Sequence, residues 1–336
     1  MDTTLPRHLD ERMRWLAAPD EGSYGPGDFV LYWMHNALRA HENPALDVAI
    51  CLARANGLPL LVYHGLSEDY PFASDRLHAF MLQGHRDVQR ELADRGVAAT
   101  FHLQRQGIRG PYLRDLTRAA ALMVTEEMPV QPLSGWMERL VATCNTPIAT
   151  VDCSCIVPVT LVDRAPTEAS EFRRATRTLR EARLRVAYPE QKVDIQVCDL
   201  NTIHHEFGLE PVCLQDSDLS ALIGECRIDH AISPVTDTPG GTREGYRRWT
   251  AFKDDGLTQY HRSRNNPTRP AGASRMSAYL HYGMVSPFRI AREAAEFGAE
   301  KFLDELLVWR ELAFHFCFHH REVIDSLADA YRPRII

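Results

Sequence analysis

Short, continuous apolar runs alternate along the first half of the chain with segments of helical spacing. "DFVLYWM" at 28–34, "LPLLVYHGL" at 58–66, "VAATFHLQR" at 97–105, "ALMVTEE" at 121–127 and "TPIATVDCS" at 146–154 read as five strands. "NPALDVAICLARANG" at 43–57 has helical spacing and a Gly stop, and "SDRLHAFMLQGHRDVQRELADRG" at 74–96 begins with a Ser cap and ends at Gly. "PYLRDLTRAA" at 111–120 and "LSGWMERLVATCN" at 133–145 are the remaining helices of this half. Strands of this kind separated by helices predict an α/β fold, a doubly wound, five-stranded parallel sheet with ligands at the carboxyl ends of its strands. Neither G-x-G-x-x-G nor G-x-x-x-x-G-K-[ST] follows a strand, so this half shows an architecture without naming its ligand.

The pattern then changes. "EFRRATRTLREARLR" at 171–185 is an Arg-rich helix, read as a solvated face rather than a nucleic-acid contact. Residues 186–240, with Pro, Asp and short mixed segments, read as a connection. From 241 the spacing is helical throughout: "TREGYRRWTAFKDDGL", "SAYLHYGMVS", "PFRIAREAAEFG" and "EKFLDELLVWRELAFHFCFHH". The organisation expected is therefore 1–185, a connection at 186–240, and an all-helical 241–336.

Composition narrows the class. The 336 residues carry a formal net charge of -7 with charges mixed in sign, which argues against a general nucleic-acid coat but not against a local basic face. No run approaches a membrane span, and the start lacks the basic-then-apolar order of a secretory signal. Eight cysteines without framework spacing fit a reducing cytosol, so a cytoplasmic location is expected. Cys153 and Cys155 are too close for an ordinary zinc pair, and His315, His319 and adjacent His320 lack a third ligand at helix spacing, so no metal site is expected.

Charge is uneven, however. Between Arg243 and Arg275 eight Arg or Lys face three acids, a net +5, with Tyr246, Trp249, Phe252 and Tyr260 interleaved. Cations for phosphates and flat rings for bases would look like this, as would a helix with a core-facing aromatic stripe and a solvated Arg face. Within "GASRMSAYL", Gly272 and Ala273 allow a tight turn, while Ser274, Arg275 and Ser277 stand where a helix opens. That is a ready anion site, or simply a capped surface turn.

The order "Y-x-x-x-R-N-x-P", "A-S-R-M-S-x-Y-L-H-Y-G" and "F-L-D-E-L-L-V-W-R-E-L-A-x-x-F-C" resembles the flavin domain of DNA photolyases and cryptochromes, with the last motif most like the class II cyclobutane-pyrimidine-dimer photolyases. "VLYWMHNALRAHENPAL" with Arg39 and Asn43, and "VDCSCIVPV" at 151–159, resemble the same family's first half, so the likeness runs through nearly the whole chain in order. The resemblance implies an N-terminal domain of the antenna type followed by a helical FAD-binding domain, and light-driven repair in which excited reduced flavin donates an electron to a flipped-out dimer. It implies that Tyr260, Phe302 and the loop Ser274, Arg275, Met276 and Ser277 hold FAD. Glu305 and Trp309 would face flavin and lesion as catalytic residues, and Arg264 and Asn265 would contact UV-damaged DNA. Helical spacing independently puts Glu305 and Trp309 on one face, where the alternative for Glu305 is a partner to Arg310 or another Arg. The resemblance further implies a monomer that acts on DNA and uses no membrane.

Several positions depart from the family pattern. Ala273 and Ala278 stand where Thr and Pro are usual, His315 where Asn is usual, and Cys153-Ser154-Cys155 where Ala-His-Asn is usual, which leaves the antenna pigment unassigned. Family members continue through a further helical segment that completes the flavin site, so this stretch is expected to hold FAD weakly at best. Two function classes follow: a light-driven repair lyase with FAD, and a non-catalytic relative that keeps the architecture.

Overall fold

A computed structural model describes residues 5–19, 24–164, 166–324 and 326. Six strands form one sheet: β1 (Met13–Ala17), β2 (Val30–Met34), β3 (Leu60–Ser67), β4 (Ala98–Gln104), β5 (Leu122–Glu126) and β6 (Ile148–Val151). Their order is β1-β6-β5-β2-β3-β4. The five strands read from the sequence are parallel neighbours, while β1 adds an antiparallel edge. The five-stranded, wholly parallel expectation is thus corrected to six strands. Because β1 is a half-buried edge strand, its residues lack the continuous apolar run that marks the central ones.

Alternation within β2 explains the layers. Val30, Tyr32 and Met34 enter one core, and Leu31 and Trp33 enter another on the opposite face. Helix Pro44–Asn56 covers the first face, and helices Tyr112–Ala119 and Leu133–Thr143 cover the second. Asn43 caps its helix by accepting from Ala45 N and Leu46 N, both at 3.1 Å, and Gly57 ends it at φ 63°. The chain winds from β2 outward to β4, then returns to β5 on β2's other side. The carboxyl ends of β2 and β5 are therefore the switch point of a doubly wound sheet.

The stretch 186–240 carries two short helices, Leu200–Phe207 and Leu219–Gly224. Val212 and Leu214 pack there with Phe101 and Leu103 of β4, and the Val212 N–H donates to the Phe101 carbonyl at 2.9 Å. Beyond it the described residues contain no strand, as expected. The helical part shares the first core, to which it contributes Trp249, Tyr279, Met284, Phe288 and Phe302. At the junction Arg39, 1% exposed, donates to the carbonyls of Gly283 (2.9 Å) and Cys153 (3.1 Å). Gly283 has φ 63°, and a Cβ there would lie 2.3 Å from the Asn36 carbonyl oxygen, so only glycine fits.

Asp47 ties the stretch after residue 186 to the first helix. It accepts from the Tyr188 hydroxyl at 2.9 Å and from the Gln191 N–H at 3.2 Å. Burial pushes its carboxyl up to about 7, against the pull of Arg95 and the Tyr188 hydroxyl. The folded chain thus holds this proton more tightly than the unfolded one. The associated stability is fully present below the unfolded value and is lost as pH rises through 7. Asp47→Asn removes the dependence, so its melting temperature should gain on the parent's between about pH 5 and 8. Parallel melting curves across that range would contradict the assignment.

Candidate functional site

The helical part builds an aromatic floor. Trp249 and Phe252, from the helix Thr242–Asp255, pack with Phe302, whose ring centroid lies 5.3 Å from Trp249 and 6.0 Å from Phe252. Tyr260 meets Phe302 edge-on at 5.3 Å. Trp249 is fully buried and Phe252 is 7% exposed, so the interleaved aromatics are largely a core stripe and these two rings cannot stack on bases. Glu293 fixes Trp249 from outside by accepting from its indole N–H at 2.8 Å and from Lys253 at 2.8 Å. Burial alone would raise the Glu293 carboxyl, but hydrogen bonds from Arg289, Lys253 and Trp249 prevail and bring it down to about 2.

Above this floor sits an ion triad. Glu305 Oε1 lies 2.9 Å from Arg264 Nη1 and 2.8 Å from Lys301 Nζ. The structure therefore brings together Tyr260, Arg264, Phe302 and Glu305, which the sequence reading had placed in three separate roles. The partner of Glu305 is Arg264 rather than Arg310, which instead donates to the Ser154 carbonyl at 2.8 Å. Burial raises the Tyr260 phenol, and the charge of Glu305 adds to it. Lys301 was missed, although its spacing of four from Glu305 was legible. The helix from Glu300 to His319 changes register here, with a π turn over Glu305–Trp309 in which the Arg310 N–H bonds back to the Glu305 carbonyl. Trp309 is 51% exposed, open to a partner molecule rather than packed in the floor.

Ser263 closes the basic loop that follows Tyr260. Its hydroxyl donates to the carbonyls of Gln259 (2.9 Å) and Gly272 (3.2 Å). A Cβ on Gly272 would lie 2.7 Å from the Ser263 carbonyl oxygen, so the 264–272 loop returns against its own start only with glycine there. Asn265, Arg262 and Arg269 are exposed on that loop. Arg275 adopts φ 52° and pairs with Asp237 at 3.0 Å, both of them exposed. Met276 is 1% exposed and packs in the core, which leaves neither its side chain nor its backbone open, whereas Ser277 is exposed and opens the short helix Ser277–His281.

A cavity of about 250 Å³ lies elsewhere, at the carboxyl ends of β5 and β6, lined by Arg14, Glu126, Glu127, Met137 and Arg321 among others. Arg14 and Glu127 pair across it at 2.7 Å. Among the described residues no helix is long and apolar enough to cross a membrane, and all eight cysteines are free thiols.

A doubly wound α/β sheet joined through one core to a helical part that sets an ion triad against an aromatic cluster is the architecture these elements define. Residues 30–192 match the family model for DNA photolyase. The chain is 30% identical over 305 residues to the deoxyribodipyrimidine photo-lyase of Methanothermobacter thermautotrophicus, covering 90% of this chain and 64% of that protein. It is 26% identical over 335 residues to the Arabidopsis thaliana deoxyribodipyrimidine photo-lyase, covering 93% and 63%. The chain thus spans a little under two thirds of these relatives. A class III photolyase from Agrobacterium tumefaciens has a similar fold, at a TM-score of 0.62 and 17% identity over 94% of this chain and 65% of its own. An archaeal photolyase from Sulfolobus tokodaii with two FAD molecules gives 0.56 and 15% over 88% and 60%. The chain belongs to the DNA photolyase family.

The floor makes a direct prediction. Phe302→Ala should lower unfolding stability by about 3–5 kcal/mol and shift the emission of Trp249 to the red, measured by denaturant titration followed by fluorescence. A loss below about 1 kcal/mol would show that Phe302 does not hold the floor.

Proposed function

We propose that the chain provides the N-terminal domain and the phosphate and lesion-facing side of a flavin site in a light-driven repair lyase for cyclobutane pyrimidine dimers. The observation that carries the reading is the convergence of Arg264 and Glu305 over Tyr260 and Phe302. Two relatives named above are deoxyribodipyrimidine photo-lyases, which supports the reading. The chemistry that FAD would supply when bound is light-driven electron donation, and this chain's residues would hold and orient it.

The residues present fit that group. Tyr260, partly exposed and backed edge-on by the buried Phe302, gives an apolar wall, and the 274–277 turn offers two hydroxyls and a cation for phosphates. The Arg275–Asp237 pair is exposed on both sides, so giving up Asp237 for a phosphate costs little. Arg264 and Glu305 are each about a quarter exposed, at 28% and 27%. Lys301 can keep Glu305 paired when Arg264 turns to a DNA phosphate, and Asn265 and Trp309, next to Arg264 and four residues beyond Glu305 in sequence, are exposed. The raised Tyr260 phenol stays protonated at neutral pH and can donate a hydrogen bond. The chain acts as a monomer on its DNA in this account.

FAD titrated into the chain should give saturable quenching of flavin fluorescence, weakened about tenfold (~1.4 kcal/mol) in Arg275→Ala. With reduced FAD and light, dimer-containing oligonucleotide should be repaired in proportion to occupancy. A chain that binds no FAD would leave the non-catalytic reading.

Arg264→Ala should weaken binding to dimer-containing duplex and lower the slope of log affinity against log salt by about one. An unchanged slope would move the DNA face elsewhere.

A further inference from the structure

One group of three metal-ligating side chains stands out among the described residues: Cys155, Glu311 and His315, whose ligand atoms lie within 4.8 Å of one another. All three are fully buried. They come from distant parts of the chain, the loop after β6 and the last helix, Arg310–His319. We propose that Cys155, Glu311 and His315 form a buried structural zinc site that fastens the last helix to that loop.

The hydrogen bonds leave the ligand atoms in suitable states. His315 Nε2 lies 3.0 Å from the Val157 carbonyl, to which it donates. Its Nδ1 is buried and has no hydrogen-bond partner among the described residues. An imidazole that gives one N–H to a carbonyl and keeps the other nitrogen bare is the arrangement metal-bound histidines use. Leaving that nitrogen bare without a metal costs desolvation with no return. Glu311 accepts from the N–H groups of Ile156 (2.6 Å) and Val157 (3.4 Å), which orient its carboxylate. Zinc bonds of about 2.0–2.3 Å place tetrahedral ligands roughly 3.5 Å apart, so small side-chain rotations close the present group around an ion.

Charge favours the same reading. A thiolate, a carboxylate and a neutral imidazole around a divalent cation sum to zero, which a buried site tolerates. Zinc accepts mixed S, N and O donors, and a water can take the fourth position.

Binding must displace protons. Burial holds the protons on the Glu311 carboxyl and the Cys155 thiol, and an ion must displace them. The other charged or titratable groups facing the cluster are Asp152, Arg12, Arg310, Arg180 and His319. Among them Asp152 favours the cation and the arginines oppose it.

The test is metal content by elemental mass spectrometry on the full chain after zinc loading and dialysis, together with the absorption spectrum after cobalt(II) loading. The expected result is about one zinc per chain, with a thiolate-to-cobalt charge-transfer band and tetrahedral d–d bands. Cys155→Ser and His315→Asn, which keep side chains of similar size, should each lower zinc affinity by about tenfold or more. A chain without zinc and without the charge-transfer band overturns the proposal, and that spectrum needs no variant. Zinc retained equally by parent and folded variants also overturns it, because the metal would then sit elsewhere.

Discussion

The structure depends on how the buried loop after β6 satisfies its own backbone. Residues 152–159 run through the interior, where a carbonyl or N–H without a partner costs about 1–3 kcal/mol. Asp152 accepts from the N–H groups of Ser154 (2.8 Å), Cys155 (2.9 Å) and Val159 (3.1 Å). Arg12 donates to the carbonyls of Cys155 and Ile156, Arg39 to that of Cys153, and Arg310 to that of Ser154. Glu311 and His315 complete the set at Ile156 and Val157. The donors come from before β1, after β2 and from the last helix, so satisfying one loop fixes sheet and helices in a single arrangement.

That arrangement positions the cleft. Arg39 also binds Gly283, so the helix that follows, Pro287–Glu296, is set against the sheet. Glu293 on it holds Trp249, Trp249 packs on Phe302, and Phe302 carries Tyr260 one turn before Glu305. The chain of contacts runs from backbone satisfaction to an aromatic wall to a carboxylate shared by two cations. The aromatic rings beneath the triad are mostly buried, while Arg264 is partly exposed and Arg275 and Trp309 are exposed.

The central strands were legible because parallel strands buried on both faces need unbroken apolar runs, and helix 43–57 because its cap and stop are local. β1 was not, since an edge strand is half-buried and "MRWLA" looks like any mixed segment. The site residues were legible only through the order of three motifs. Spacing alone could pair Glu305 with Lys301 but could not bring in Arg264, some forty residues away. Arg12, Arg39 and Glu311 were the least visible, because charged letters read as surface and their burial is decided by carbonyls and N–H groups far along the chain. Cys155 was read beside Cys153, its neighbour in sequence, while its neighbours in space are Glu311 and His315.

The central claim is that the helical cleft, and not the cavity at the sheet's carboxyl ends, receives flavin. Hydrogen exchange with and without FAD tests it by position. The account predicts slowed exchange in residues 257–277 and 300–309, with residues 126–142 unchanged. Protection confined to 126–142, with the cleft exchanging as before, would contradict it.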